Sequence, residues 1–146
     1  MQAEPFDLAQ EVAAAKAGRT DIGAIVTFTG TVRDAAHDRR LVAMTLEHYP
    51  GMTEAELARV ETEANERWPL QSSLIIHRYG RLLPGEDIVL VVTASAHRQA
   101  AFSAAEFLMD YLKTSAPFWK QEELADGTSS WVAAKDSDDA ATKRWR

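Results

Sequence analysis

Segments that alternate with a period of two and segments that repeat at helical spacing follow one another along this chain, joined by short turns. Residues 23–32 set Ile25, Thr27 and Thr29 against Val26 and Phe28, a strand rich in β-branched side chains. Residues 43–49 alternate again, with Met44, Leu46 and His48 on one face, and Pro50-Gly51 marks a turn. Residues 74–79 and 87–95 read as two further strands, joined through Gly80 and Pro84-Gly85. A hairpin around Asp126-Gly127 pairs 118–122 with 129–132. Such short connections favour antiparallel pairing, because parallel strands need a long crossover.

Three helices are predicted between these strands. The first starts at Asp7, with Gln10 at capping-box spacing, and stops at Gly18. In the second, Thr53 and Glu56 form the box, Leu57, Val60, Ala64 and Trp68 make the apolar stripe, and Pro69 closes the helix. The third runs over about 97–114, packs Phe102, Ala105, Met109 and Leu112, and ends before Pro117. Residues 34–40 read as a polar loop, and the tail from Ala133 is polar with Trp145 near its end. The expectation is a single α+β domain over 1–146.

Charge and composition narrow the function. The chain carries a net charge of −6, so nucleic acid and anionic membrane, which both demand a basic face, are poor partners. An anionic ligand has to be held by a local basic cluster. No cysteine is present, which excludes disulfides, thiolate metal sites and a cysteine nucleophile. The first ten residues do not resemble a signal peptide, and the apolar run 88–96 is too short to span a bilayer, so the expected location is the cytoplasm. The four histidines show no metal-ligand spacing, and no cofactor motif occurs.

Lys113 and Lys120 flank an apolar, aromatic stretch, where partial desolvation suits a lysine to act as base, nucleophile or anion clamp. Each also has a structural reading, which spacing alone favours: Lys113 complements the helix dipole and Lys120 guards an edge strand. His97-Arg98 opens the third helix, where free N–H groups attract anions. The competing reading makes Ser95 the cap and pairs Arg98 with a carboxylate. Arg33 ends a strand after Gly30, which permits a bulge or the close approach of a ligand. His77-Arg78 and His48 read as packed strand residues.

These same residues carry a likeness. Thr27-Phe28-Thr29-Gly30-Thr31-Val32-Arg33 resembles a signature of the MoaE family, the large subunits of molybdopterin synthase. So do Leu46-Glu47-His48-Tyr49-Pro50-Gly51-Met52, Ile76-His77-Arg78-Tyr79-Gly80, Ser95-Ala96-His97-Arg98, Tyr111-Leu112-Lys113 and Pro117-Phe118-Trp119-Lys120. The resemblance implies an α/β-hammerhead fold with a small antiparallel subdomain. It implies a homodimer within a heterotetramer, each large subunit holding a small ubiquitin-like subunit. Two sulfurs would pass from that subunit's C-terminal Gly-Gly thiocarboxylate to cyclic pyranopterin monophosphate, forming a dithiolene. Lys113 and Lys120 would be the catalytic lysines, with Lys120 at the incoming C-terminus and Lys113 near the pterin carbons. His97 and Arg98 would bind the anion. Arg33 would line the pocket, from the neighbouring subunit in one arrangement, and Phe28 and Met109 would be its apolar walls. Gln121 and Ser115 depart from the family's pattern, since relatives often carry basic residues there.

Two other readings compete: a non-catalytic module that binds a ubiquitin-like partner or a pterin, and an unrelated enzyme using a lysine Schiff base.

Overall fold

Hydrophobic alternation on both faces of one central strand organises the molecule. The computed structural model describes residues 1–36, 38–132 and 136–146. Strand β6 (Asp87–Ser95) is buried from Ile88 onward, so its side chains feed cores above and below it. It lies between β1 (Ala24–Thr31) and β4 (Leu70–His77), both antiparallel to it.

On one face, Val89 and Val91 pack with Leu57, Val60 and Ala64 of α2 (Met52–Arg67) and with Phe107, Leu108 and Leu112 of α3 (Arg98–Thr114). On the other face, Leu90, Val92 and Ile76 are covered by Phe6 and by Ala15 of α1 (Leu8–Lys16). Each fully buried Leu, Val or Phe contributes on the order of 1.5–3 kcal/mol.

A second sheet carries the rest. Its order is β2 (Ala35–Ala36), β3 (Arg39–His48), β7 (Phe118–Leu124) and β8 (Ser129–Val132), with β5 (Gly80–Leu82) also paired to β3. Val32, Leu41, Leu46, Leu82 and Ile88 form a smaller core beneath it. Helix α4 (Asp136–Lys143) then returns onto α3. The α+β expectation and the antiparallel pairing hold. No helix among the described residues is long and apolar enough to cross a membrane.

Several local expectations change. Asp7 does cap α1, its carboxylate accepting from the Gln10 N–H at 3.1 Å. Helix α2, however, starts earlier than the Thr53–Glu56 box implied. Gly51 is its N-cap, and the Glu54 carboxylate accepts from the Gly51 N–H at 2.5 Å. The fully buried Thr53 hydroxyl instead donates to the Pro117 carbonyl at 2.7 Å. Phe102 is 61% exposed: the buried stripe of α3 runs through Ala101, Ala104, Ala105, Leu108 and Leu112, one step round the helix. The polar segment 34–40 contains the β2–β3 pairing, with Asp38 at φ 62°, the left-handed conformation such a tight turn needs; its residue 37 lies outside the described residues. The tail from Ala133 contains α4, a helix with no apolar stripe to announce it, and residues 133–135 lie outside the described residues.

Candidate active site

Helix α3 sets the geometry of the candidate residues. Eight of its side chains are buried, including Phe107, Leu108, Tyr111 and Leu112, so it is pinned along the sheet. Following β6 directly, it runs back over that strand, with His97 as its N-cap and Lys113 in its last turn. Fifteen residues separate Arg98 from Lys113, or about 22 Å at 1.5 Å per residue. The sequence candidates therefore divide between two ends of one rod.

At the far end is Lys113, exposed on the last turn, with the half-buried Met109 one turn earlier on the same side. Lys120 lies on β7, opposite Leu46 on one side and Val132 on the other. It is therefore on an internal strand and half-buried, which removes the edge-guard reading. Arg33 follows Val32 at the end of β1, where Thr31 pairs with Asp87 at the start of β6. That is the end of the sheet where β4 finishes at His77, opposite Val89.

His77, read from the sequence as a packed strand residue, lies at the lysine end. Its side chain is buried, with the residue 5% exposed, and its ring lies 4.4 Å from that of Phe118, centroid to centroid. Phe118 and Lys120, two apart on β7, share a face. The His77 Nδ1 is 3.0 Å from the Arg78 carbonyl oxygen. A carbonyl only accepts, so Nδ1 carries the proton and Nε2 keeps its lone pair. Burial above all, and then the positive charges of Lys120, Lys113 and the Met1 amino group, push the imidazole pKa down to about 4 against the opposing Arg78 carbonyl. Both candidate lysines thus bear on one neutral imidazole. The available signal was the apolar run Leu74-Ile75-Ile76 ending in a histidine, and it does not distinguish a packed ring from a functional one. The structural reading of Arg78 is correct: its guanidinium donates to the Ala3 and Asp87 carbonyls. His48 is also packed, against Tyr79 at 4.5 Å, and pairs with Glu54 at 3.2 Å.

Phe28 is 41% exposed on the outer strand β1, facing Val91. Register slips between Gly30 and Thr31, so the expected bulge is present. The space above Gly30 is filled from within: a Cβ there would sit 2.7 Å from Val89 Cγ1 and 3.5 Å from the Phe28 ring. The close neighbours at Gly30 are thus protein side chains, Val89 and Phe28.

At the near end of α3, His97, Arg98, Gln99, Phe102 and Ser103 line an open depression of about 600 Å³. The competing cap reading fails here. Ser95 donates to the Pro69 carbonyl at 2.9 Å, and His97 makes no side-chain cap, so the first-turn N–H groups have no side-chain cap of their own. Among the described residues Arg98, Arg33 and Lys113 make no ion pair, whereas Arg19, Arg59, Arg67, Arg81 and Arg144 each engage a carboxylate. An arginine without an ion pair among the described residues, Arg98, at a helix N-terminus in an acidic chain suits an anionic ligand. One chain therefore brings Lys113, Lys120, His77, Met109 and Arg33 to one end and leaves His97, Arg98 and Phe102 at the other.

Comparison with known proteins adds a family likeness. The family model described as MoaE protein matches residues 1–115. The molybdopterin synthase catalytic subunit of Rhizobium meliloti (strain 1021) is 60% identical over 146 residues, covering 99% of this chain and 93% of the relative. The solved molybdopterin biosynthesis MoaE protein from Burkholderia ambifaria MC40-6 has a TM-score of 0.83 at 53% identity, over 99% of this chain and 94% of that one. A complex of subunits 1 and 2 of molybdopterin-converting factor from Helicobacter pylori 26695 shares the fold, with a TM-score of 0.68 at 20% identity, covering 92% of this chain and 89% of that one.

Proposed function

The chain belongs to the MoaE family, and on that premise we propose that it is a sulfurtransferase, the catalytic subunit that makes the dithiolene of molybdopterin. The sulfur comes from the C-terminal thiocarboxylate of a small ubiquitin-like subunit, and the acceptor is cyclic pyranopterin monophosphate. The single observation that carries this reading is the 60% identity, over 146 residues, to a molybdopterin synthase catalytic subunit.

A chain without cysteine cannot carry sulfur itself, so a partner has to deliver it. In each transfer the thiocarboxylate sulfur forms a bond to a pterin side-chain carbon as a C–O bond there breaks, the oxygen leaving as water at one carbon and staying on the phosphate, whose ring opens, at the other. Water then breaks the bond between that sulfur and the acyl carbon, and the tail leaves as a carboxylate. Lys120, half-buried beside Phe118, holds the negative charge of the tail in a site of low dielectric. Lys113 stabilises the charge that develops at the pterin carbons or moves a proton there. With its proton on Nδ1, His77 stays neutral at physiological pH and does not add a third repelling cation to the pair. The family model ends at residue 115, so the role proposed for Lys120 rests on the likeness of Pro117-Phe118-Trp119-Lys120 to the family's motif and on its half-buried place beside Phe118.

His97 and Arg98 are too distant along α3 to touch the same small ligand as Lys113 of their own chain. We infer that a second copy supplies them, which makes the working unit a homodimer, with a small subunit on each chain. The Helicobacter pylori protein of the same fold, solved as a complex of subunits 1 and 2, supports a two-subunit assembly.

The test mixes this protein with thiocarboxylated small subunit and cyclic pyranopterin monophosphate, and reads the fluorescent oxidation product of molybdopterin. Wild type forms product, and Lys113→Ala folds and binds the small subunit but loses at least about a hundredfold in rate. A normal rate in Lys113→Ala refutes the catalytic assignment.

A further inference from the structure

The C-terminal segment makes most of its polar contacts with the last turns of α3. Thr142 of α4 is 2% exposed, and its Oγ1 lies 2.9 Å from the Thr114 hydroxyl and 3.0 Å from the Asp110 carbonyl oxygen. The Asp110 carboxylate accepts from the Trp145 indole N–H at 2.6 Å and from the Arg144 guanidinium at 2.9 Å. Arg144 also binds Glu106, one turn earlier on α3. Trp145 is itself wedged against Trp68 and Phe107, each 5.6 Å away between ring centroids, and its carbonyl accepts from Arg67 at 2.7 Å. Asp110 and Thr114 bracket Lys113 on α3.

The terminal turn of a helix is where its backbone frays, because its last carbonyls lack intrahelical partners. Here that turn carries an exposed lysine, and a second helix is bonded to it on both sides of that lysine. The hydroxyl of Thr142 has one hydrogen. The Asp110 carbonyl and the Asp138 carbonyl of its own helix both face it at 3.0 Å, and whichever takes it, the Thr142 oxygen can accept from Thr114, so α4 stays bonded to the last turn of α3. We propose that α4 is a strap that fixes the last turn of α3, with Thr142 and Asp110 as positioning residues for Lys113. This inference rests on the catalytic reading of Lys113 and extends it to residues that never meet the substrate.

Thr142→Val keeps the shape of the side chain and removes the hydroxyl, and Thr142→Ser restores it. The experiment uses the complex with thiocarboxylated small subunit, and measures kcat, KM for cyclic pyranopterin monophosphate, affinity for the small subunit, and amide hydrogen exchange over residues 111–115. The expected result for Thr142→Val is faster exchange and a kcat lower by about tenfold or more, with KM and partner affinity unchanged. Thr142→Ser is expected to match wild type in all four. A merely stabilising threonine would lower the melting temperature without moving kcat in the cold, and that result overturns the proposal. So does unchanged exchange in Thr142→Val, or a Thr142→Ser variant as impaired as Thr142→Val. A wild type that makes no product refutes the sulfur-transfer reading and with it the purpose of the strap, while the exchange rates separately decide whether α4 holds the helix.

Discussion

Replacing His77 with glutamine removes a buried imidazole whose protonation is opposed by burial and by both lysines, and the consequence for stability can be worked out. In the unfolded chain the ring titrates near 6.5, and in the fold near 4. Between those values the unfolded state binds more protons, so stability falls as pH falls. The contribution is fully present above pH 6.5 and is lost on acidification toward pH 4. The difference of 2.5 (6.5 − 4), at about 1.36 kcal/mol per pH unit, corresponds to about 3 kcal/mol. Carboxylates add their own pH dependence, but they do so equally in wild type and variant. Urea unfolding between pH 7.5 and pH 4 isolates the imidazole: the stability advantage of wild type over His77→Gln should shrink by about 3 kcal/mol across that range. Parallel curves would refute both the burial and the convergence of charges. The lysine contribution is separable by following the His77 resonance. Lys120→Ala should raise the pKa, and Lys113→Ala should raise it less, because Lys120 is the stronger of the two.

Two further outcomes follow from packing. A Cβ added at Gly23 would lie 2.1 Å from the Ala96 carbonyl oxygen, just before the His97–Arg98 end; Gly23→Ala should cost about 1–3 kcal/mol in chemical denaturation, since backbone has to move. Thr53→Val strips the Pro117 carbonyl and the Tyr49 N–H of their buried partner; the expected loss is about 1–3 kcal/mol, with lower turnover because the chain between the two lysines loosens.

Much of this architecture was legible because local chemistry and tertiary demand agree. Asp7 caps a helix where its spacing to Gln10 says it should, and the stripe Leu57, Val60, Ala64 is buried as its period requires. The strand 87–95 is apolar on both faces and is the central strand of its sheet. Phe102 was misassigned because α3 buries alanines against the sheet, and a phenylalanine outweighs an alanine in any reading of hydrophobic stripes. Helix α4 has no such stripe at all, and it is held by Thr142, Arg144 and Trp145 reaching across to α3.

The candidate site was half legible. Lys113 and Lys120 stood out for their aromatic surroundings, His97 and Arg98 for opening a helix and Arg33 for ending a strand, and the family likeness implied a shared site for them. That His97 and Lys113 stand at opposite ends of one helix needed only the length of that helix. The surroundings of His77 were hidden, because they are contributed by Phe118 and two lysines on other elements. Period and composition do not encode such a meeting.

The most direct test of the composite site mixes two dead chains. Lys113→Ala lacks the lysine end, and a His97→Ala/Arg98→Ala chain lacks the anion end. Each is expected to be inactive alone with thiocarboxylated small subunit and cyclic pyranopterin monophosphate. Mixed and allowed to exchange, about half of the dimers contain one chain of each kind, and in each of these one of the two sites is whole. The predicted yield is therefore about a quarter of wild-type molybdopterin formation. No product from the mixture, with exchange demonstrated and wild type active, would contradict a site shared between two copies.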